Sequence, residues 1–551
     1  MENKYIYWTD RIAEEVRKRL ENFPILKKTV EEKGAVIVYD EKTPSGKIHV
    51  GSARGWIIHD IITKSLNDNG IRAKFILSSD DMDPLDTVPI YLDKQRFQPF
   101  LGIPLRNVPS PNKNYDSYAD YFFFSCVERF EELGIEAEIE RTGDRYKRGD
   151  FNWAIKKVLD NAEKIHEIYR KVYGKTLREK LPFSPICEKC ERIGTTLAYE
   201  WDAENEILKY VCKKDLVKWA EGCGYEGEIS PYNGSGKLPW KVEWAAKWPT
   251  VGVIIETAGK DHFTKGGARE IAVLISTKIF EYPPPWPSSP EKIGKGYEFF
   301  LVEGKKMSTS KGIGVAFTEI LDFIQPEILR FLMVKTRPES AIDFKEEHIP
   351  RFYEEFERYE RIYFGVEKAS EREEVNARRV YELSCIRIPK ERPFRIPFEF
   401  ACILSQILPK KDREEKAMEI LKKNYRREFS SFEKELIEKT LRYAEVWTRE
   451  FAPERLRIKI LEELREEELN ELSVEQKNSL FELSRFLEKE REETEIWDKI
   501  REISENLKID VGKIFEAAYI VLLGKKFGPR LIPLIQTLER DFVIKRFRLE
   551  E

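Results

Sequence analysis

Two short strings lying far apart in the chain hold residue types suited to a phosphate chain. They are Pro44-Ser45-Gly46-Lys47-Ile48-His49-Val50-Gly51-Ser52 and Lys306-Met307-Ser308-Thr309-Ser310-Lys311-Gly312. In the first, His49 can donate a hydrogen bond, and Gly51 lets a nucleotide approach the backbone closely. The second is a Ser/Thr/Gly-rich loop with Lys305, Lys306 and Lys311; ammonium groups on such a loop suit the charge that develops when an α-phosphate is attacked. A third polar group, Gly259-Lys260-Asp261-His262, follows the apolar run Val251 to Ile255. Nucleotide activation is the chemistry these residues share.

Such side chains need a scaffold that turns them to one edge. The run Ala35-Val36-Ile37-Val38-Tyr39 precedes the first string, and Trp56, Ile57, Ile58, Ile61, Ile62 and Leu66 follow it at helical spacing. That pattern predicts strand, turn and helix. The turn's backbone N–H groups and the positive end of the helix dipole then face the carboxyl edge of a sheet, where anions bind in open α/β folds. Alternating strand and helix signals continue through Lys74-Phe75-Ile76-Leu77 and resume from Lys241, so the expected class is α/β with a parallel sheet.

The 551 residues are enough for several domains, and 41% hydrophobic content supports a folded chain. No apolar run is long enough to span a membrane, and Met1-Glu2-Asn3-Lys4 does not open a signal peptide, so a cytoplasmic enzyme is expected. With 95 basic and 99 acidic residues the net charge of −4 neither requires nor excludes a nucleic-acid partner. Basic clusters such as Arg145, Lys147 and Arg148, or Lys545, Arg546 and Arg548, read as solvated faces. Seven cysteines do not make a disulfide framework. Four of them, Cys187, Cys190, Cys212 and Cys223, have the tight first half of a zinc knuckle, and four thiolates would close a structural Zn2+ site with no open position. Cys126, Cys385 and Cys402 read as packing residues.

Along the chain, helices are expected over 10–22, 118–133, 152–172, 326–334, 349–363 and 473–494. The proline- and cysteine-bearing stretch 91–240 interrupts the sheet rhythm and reads as an insertion. It divides a first sheet half (1–90) from a second (241–316), with a helical region at 317–375 and an all-α part at 376–551. The tail is Leu/Glu/Lys/Arg-rich, but its heptads are not sustained, which favours a packed helical domain over a coiled coil. His59 and His166 read as peripheral helix residues, and His348 as preceding a helix.

The two phosphate-handling strings, in this order, resemble the signature sequences of class I aminoacyl-tRNA synthetases. Further segments resemble the class I lysyl-tRNA synthetase family of archaeal type. These are Ser78 to Asp86, Glu243-Trp244 with Trp248, Ala258 to His262, Arg337-Pro338 with Ala341 to Phe344, and Leu522 to Arg530. The resemblance implies a Rossmann-type catalytic sheet, an inserted zinc-bearing connecting domain holding the acceptor end of tRNA, and an α-helical anticodon-binding domain. It implies ATP, with Mg2+, and lysine as substrates and tRNA(Lys) as partner. Two residues depart from the usual signature: Ser52 stands where Asn or His is common, and Thr309 replaces a lysine of the generic string. Relatives carry Cys or His near 109–118; none lies there, so no second metal is expected.

The roles follow as expectations. Pro44, Ser45, Gly46, His49, Gly51, Ser52, Gly259, Lys306, Met307, Ser308, Thr309 and Ser310 would hold ATP, with His49, Lys306 and Lys311 stabilising the transition state. Asp80, Asp81 and Asp261 would meet the ammonium groups of lysine, His262 would join them, and Trp244 or Trp248 would wall its methylenes. Alternatives are another class I synthetase, such as a glutamyl enzyme, and a non-catalytic tRNA-binding paralogue. The acidic strand ends disfavour the first, and the presence of His49, Lys306, Asp261 and His262 together disfavours the second.

Overall fold

The structure, a computed structural model, describes residues 6–177, 181–306, 314–461, 463–489 and 491–550. It divides into two units, one of residues 1–320, 329–344 and 369–387, the other of 321–328, 345–368 and 388–551.

The first unit is built on a four-stranded sheet of β1 (Val36–Lys42), β2 (Ala73–Ser79), β3 (Glu138–Arg141) and β4 (Val253–Ile255). Its order is β3-β2-β1-β4 and every neighbour is parallel. A parallel sheet covered on both faces calls for continuous apolar strands, and Val36 to Tyr39 and Val253 to Ile255 are wholly or almost wholly buried. The chain runs outward from β1 through β2 to β3 and returns on β1's other side as β4. The topological switch therefore lies between β1 and β4, where open sheets form their binding crevice.

Two expectations over 91–240 are corrected. β3 belongs to the main sheet, so that stretch is not wholly an insertion. The helix expected over 152–172 is two, Asn152–Asp160 and Ala162–Tyr173. Asn161 makes the break: its side-chain amide donates to the Lys157 carbonyl at 2.8 Å, competing with the helical ladder. The rest of the stretch carries an antiparallel sheet of Thr196–Asp202, Ile207–Cys212 and Glu226–Ile229.

The helix Gly51–Asp68 is buried almost all round, beyond what its apolar spacing predicts. Its polar residues are used internally. Arg54 donates to the carbonyls of Phe299 at 3.0 Å, Arg337 at 3.0 Å and Ser340 at 2.6 Å. Asp60 accepts from Arg330 at 2.6 Å, and Arg330 also holds the Leu383 carbonyl at 2.7 Å. Such contacts place the strand Ile342–Phe344 and the helix Glu371–Ser384 in this unit, although 317–375 and 376–551 were expected to be separate regions.

Among the described residues the second unit has helices and no strand. The helix expected over 473–494 spans Val474–Phe486. Ser473 and Gln476 form a capping box at its start, and Arg491 closes its end, donating to the Phe486 carbonyl at 3.1 Å with its guanidinium 4.1 Å over the Phe486 ring.

Candidate active site

The turn after β1 is held from several sides. Tyr118 donates to the Ser45 carbonyl at 2.9 Å, and the Lys47 N–H donates to the Tyr91 hydroxyl at 2.5 Å. Pro44 and Gly46 are buried, His49 and Ser52 half-buried. Among the described residues no side chain caps the helix that begins at Gly51; the Ser52 and Ala53 N–H groups instead donate to the His49 and Val50 carbonyls at 3.0 Å each, tightening the first turn.

Strand pairing holds the flanks of the second string. A three-stranded sheet sets Lys305–Lys306 antiparallel to Phe300–Val302, which pairs in parallel with Ile342–Phe344. The side chain of Lys306 and residues Met307, Ser308, Thr309, Ser310 and Lys311 lie outside what is described. Residues 315–317 lie beside His49. The Val50 N–H donates to the Val315 carbonyl at 3.0 Å, the Phe317 N–H to the Ile48 carbonyl at 2.8 Å, and His49 and Ala316 form an antiparallel bridge. Lys47 adds an ion pair to Glu319 at 2.7 Å. Two strings remote in sequence thus have flanks bonded to one another at the switch point.

Gly259 lies across the crevice after β4. Tyr297 pairs on both sides of it, donating its N–H to the Ala258 carbonyl at 3.0 Å and accepting from the Lys260 N–H at 2.9 Å. The space beside the Gly259 Cα is open.

The residues expected around lysine separate into two groups. Asp80 and Asp81 are buried and already hold cations of the chain. Asp80 accepts from Lys237 at 3.0 Å; Asp81 faces Arg106 at 3.2 Å and accepts from the Gly143 N–H at 2.8 Å. A Cβ at Gly143 would lie 1.6 Å from Arg106 Nη1, so this approach requires glycine. Trp248 has no exposed surface and is corrected from pocket wall to core. Its indole N–H donates to Glu256 Oε2 at 2.7 Å, as does that of Trp244 at 2.7 Å. Trp244 and His262 are half-buried and Asp261 exposed. The His262 ring stands edge-on to Trp244 at 5.6 Å and to Trp240 at 6.1 Å.

Several participants escaped the sequence reading. Trp240, 46% exposed, extends the aromatic wall; the Trp-x3-Trp-x3-Trp spacing on one helical face was the available signal. Glu256 anchors that wall, also accepting from the fully buried Arg269 at 2.9 Å. Burial pushes its carboxyl up, with Arg269 and both indoles opposing. Behind the strand ends, Lys237 contacts Asp80, Asp83 at 2.5 Å and Glu243 at 3.3 Å, while Lys247 bonds both Glu41 and Glu243. Burial pushes the Glu41 carboxyl up to about 8, against the pull of Lys247. Carboxylates of Glu41, Asp80 and Glu243 lie close enough to share an ion, but the two ammonium groups already serve them. His59, expected to be peripheral, is fully buried at the crossing of β1, β4 and the Gly51–Asp68 helix.

The four cysteines converge in the inserted part. Cys187 and Cys223 sulfurs are 3.6 Å apart, Cys190 and Cys212 sulfurs 3.7 Å, and all four fall within 4.8 Å. A tetrahedron with metal–sulfur bonds of about 2.3 Å has edges of about 3.8 Å, so the donor set fits such an ion. The Cys223 N–H and the Thr195 hydroxyl approach the Cys212 sulfur at 3.3 Å and 3.2 Å.

Comparison with known proteins decides the family. The model of the family described as "tRNA synthetases class I (K)" matches residues 6–387. The chain belongs to that family. Its similarity to curated proteins extends further, through the helical unit. The lysine–tRNA ligase of Methanocaldococcus jannaschii is 34% identical over 566 residues, covering 99% of this chain and 100% of the relative. That of Methanococcus maripaludis is 33% identical, with 99% and 100% covered, and that of Archaeoglobus fulgidus 31%, with 98% and 99%. This class I (K) synthetase also has no helix, among the described residues, long and apolar enough to cross a membrane.

Proposed function

We propose that this synthetase joins lysine to tRNA(Lys) in two steps, through lysyl-adenylate. The observation that carries the reading is the backbone pairing of Val315 to Phe317 with Ile48 to Val50, which ties the flanks of both phosphate-handling strings to one crevice. Lysine's carboxylate attacks the α-phosphate of ATP and expels pyrophosphate; the terminal ribose hydroxyl of the tRNA then attacks the acyl carbon and expels AMP. Neither step needs a protein nucleophile. Holding the reactants in line and neutralising the charge that builds on phosphorus supplies the acceleration, up to roughly 7–11 kcal/mol from orientation in favourable cases.

In this reading Pro44 to Ser52 and Gly259 cradle ATP, which would bring Mg2+ with it, and His49, Lys306 and Lys311 meet the developing charge. Met307 to Ser310, outside the described residues, are assigned to ATP binding by the family resemblance alone. Lysine lies along Trp244 and Trp240 toward Asp261 and His262, while Asp80 and Asp81, neutralised by Lys237 and Arg106, brace the strand ends behind it. Zn2+ on Cys187, Cys190, Cys212 and Cys223 braces the connecting segment, where four thiolates leave no position open for chemistry. In the second unit, residues 388–551 read the anticodon and 345–368 touch the tRNA stem; the enzyme works in the cytoplasm.

The test is exchange of pyrophosphate into ATP, run with each standard amino acid and with tRNA present or absent. Exchange driven by lysine alone is expected. Exchange driven by glutamate would overturn the choice of substrate, and none with any amino acid would leave a tRNA-binding protein.

A further inference from the structure

His59 occupies a position whose hydrogen-bond partners fix its chemistry. Its Nδ1 lies 2.8 Å from the Gly55 carbonyl, which can only accept, so Nδ1 carries the proton. The Thr257 N–H, which can only donate, reaches Nε2 at 3.1 Å, so Nε2 offers its lone pair. Asp40 Oδ2, from β1, stands 3.4 Å from Nδ1 and reinforces that tautomer. Phe75 of β2 stacks on the ring at 5.7 Å, and no part of the side chain reaches solvent. The helix carrying His59 begins at Gly51, about 12 Å away along its axis. Thr257 follows β4 and leads directly to Ala258 and Gly259.

A second strap binds the same parts. Tyr297 clamps Ala258 and Lys260 by its backbone, and its hydroxyl packs so close to Gly55 that a Cβ there would lie 2.5 Å from Tyr297 Oη and 3.1 Å from Asp40 Oδ2. The loop after β4 is therefore tied twice to one turn of one helix, once through the His59 ring and once through Tyr297.

We infer that His59 is a positioning residue for ATP: by accepting from the Thr257 N–H it fixes the Gly259 loop relative to the phosphate turn at His49 and Gly51. The inference rests on the ATP site proposed above. His59 is fully buried and acts on ATP only through the Gly259 loop, so its loss weakens ATP binding more than it slows a bound complex.

The experiment measures lysine-dependent pyrophosphate exchange by the full chain, wild type against His59→Asn and His59→Gln. An Asn amide reaches Gly55 and Asp40 but not Thr257, whereas a Gln carbonyl can accept from Thr257. For His59→Asn the KM for ATP should rise about tenfold, the worth of one ordinary hydrogen bond, while the KM for lysine stays within about twofold. His59→Gln should recover most of the loss. An unchanged KM for ATP in His59→Asn, or equal loss in both variants, overturns the inference. A wild type without lysine-dependent exchange instead overturns the function on which it rests. Should His59→Asn not fold, nitrogen-15 spectra of the histidine-labelled wild type decide, since only five histidines must be assigned. A ring protonated on Nδ1 alone at neutral pH supports the role, and one protonated on Nε2 overturns it.

Discussion

Replacing Glu256 with Gln tests whether one buried carboxylate holds the aromatic wall. A single oxygen, Oε2, accepts from Trp244 and Trp248 at 2.7 Å each and from Arg269 at 2.9 Å, in surroundings where Glu256 is 3% exposed and Arg269 not at all. Arg269 also lies 5.1 Å over the Trp244 ring and 4.6 Å over Trp248. Glutamine keeps the shape and an acceptor but removes the charge. Each hydrogen bond to a charged group is worth roughly 1.5–3 kcal/mol and a neutral one roughly 0.5–1.5, so three weakened bonds cost about 3 kcal/mol. Leaving the guanidinium without its counter-charge takes the total toward the roughly 3–5 kcal/mol seen when a buried pair is broken. Urea unfolding followed by tryptophan emission reads that loss, because two of the indoles bond the altered group. The KM for lysine should rise in parallel, since Trp244 loses its anchor. A loss below about 1 kcal/mol with an unchanged KM would refute both the charge on Glu256 and its hold on the wall.

Stripping the cysteine cluster with a strong chelator should release one zinc per chain and open the 185–230 region to hydrogen exchange. The cluster of fully buried residues around the thiols is Cys187, Tyr210 and Cys212, with Tyr225 and Ile229 packed against it, whereas structural zinc supplies about 10–16 kcal/mol in isolated fingers. Retained protection after metal loss would contradict this. Lys306→Ala should abolish adenylate formation and Lys311→Ala should slow it; an unaffected Lys311→Ala enzyme would remove that residue from the mechanism. The Glu41 carboxyl titrates near 8 when folded against an ordinary 4.5, so the folded state holds its proton more tightly. The stability this confers is complete below pH 4.5 and is lost as pH rises through about 8. Melting temperature should fall across that window, and Glu41→Gln should flatten the fall; an identical slope in both proteins would place the titration elsewhere.

The sequence made legible what local chemistry dictates. The apolar run Ala35 to Tyr39, the turn at His49 and the helical spacing after it predicted strand, turn and helix because each element follows from its own residues. Cys187 to Cys223 could be grouped because thiols have few other uses at such spacing. Partnerships made across the sheet were not legible. Nothing near Asp80 in sequence reveals that Lys237, from a short strand paired with Ser184, fills it. Likewise Trp248 reads as a wall until Glu256 and Arg269 draw it inward. His59 shows the same limit in reverse. A histidine on a helix with apolar neighbours reads as incidental, and only the arrival of Thr257 from β4 gives its second nitrogen a purpose. Buried charged residues depend on partners distant in the chain because an isolated buried charge is too costly to keep. A sequence therefore displays the residues that face a ligand more readily than those that hold them in place, and the supporting shell of this crevice becomes visible only when β1, β4 and the helix between them are brought together.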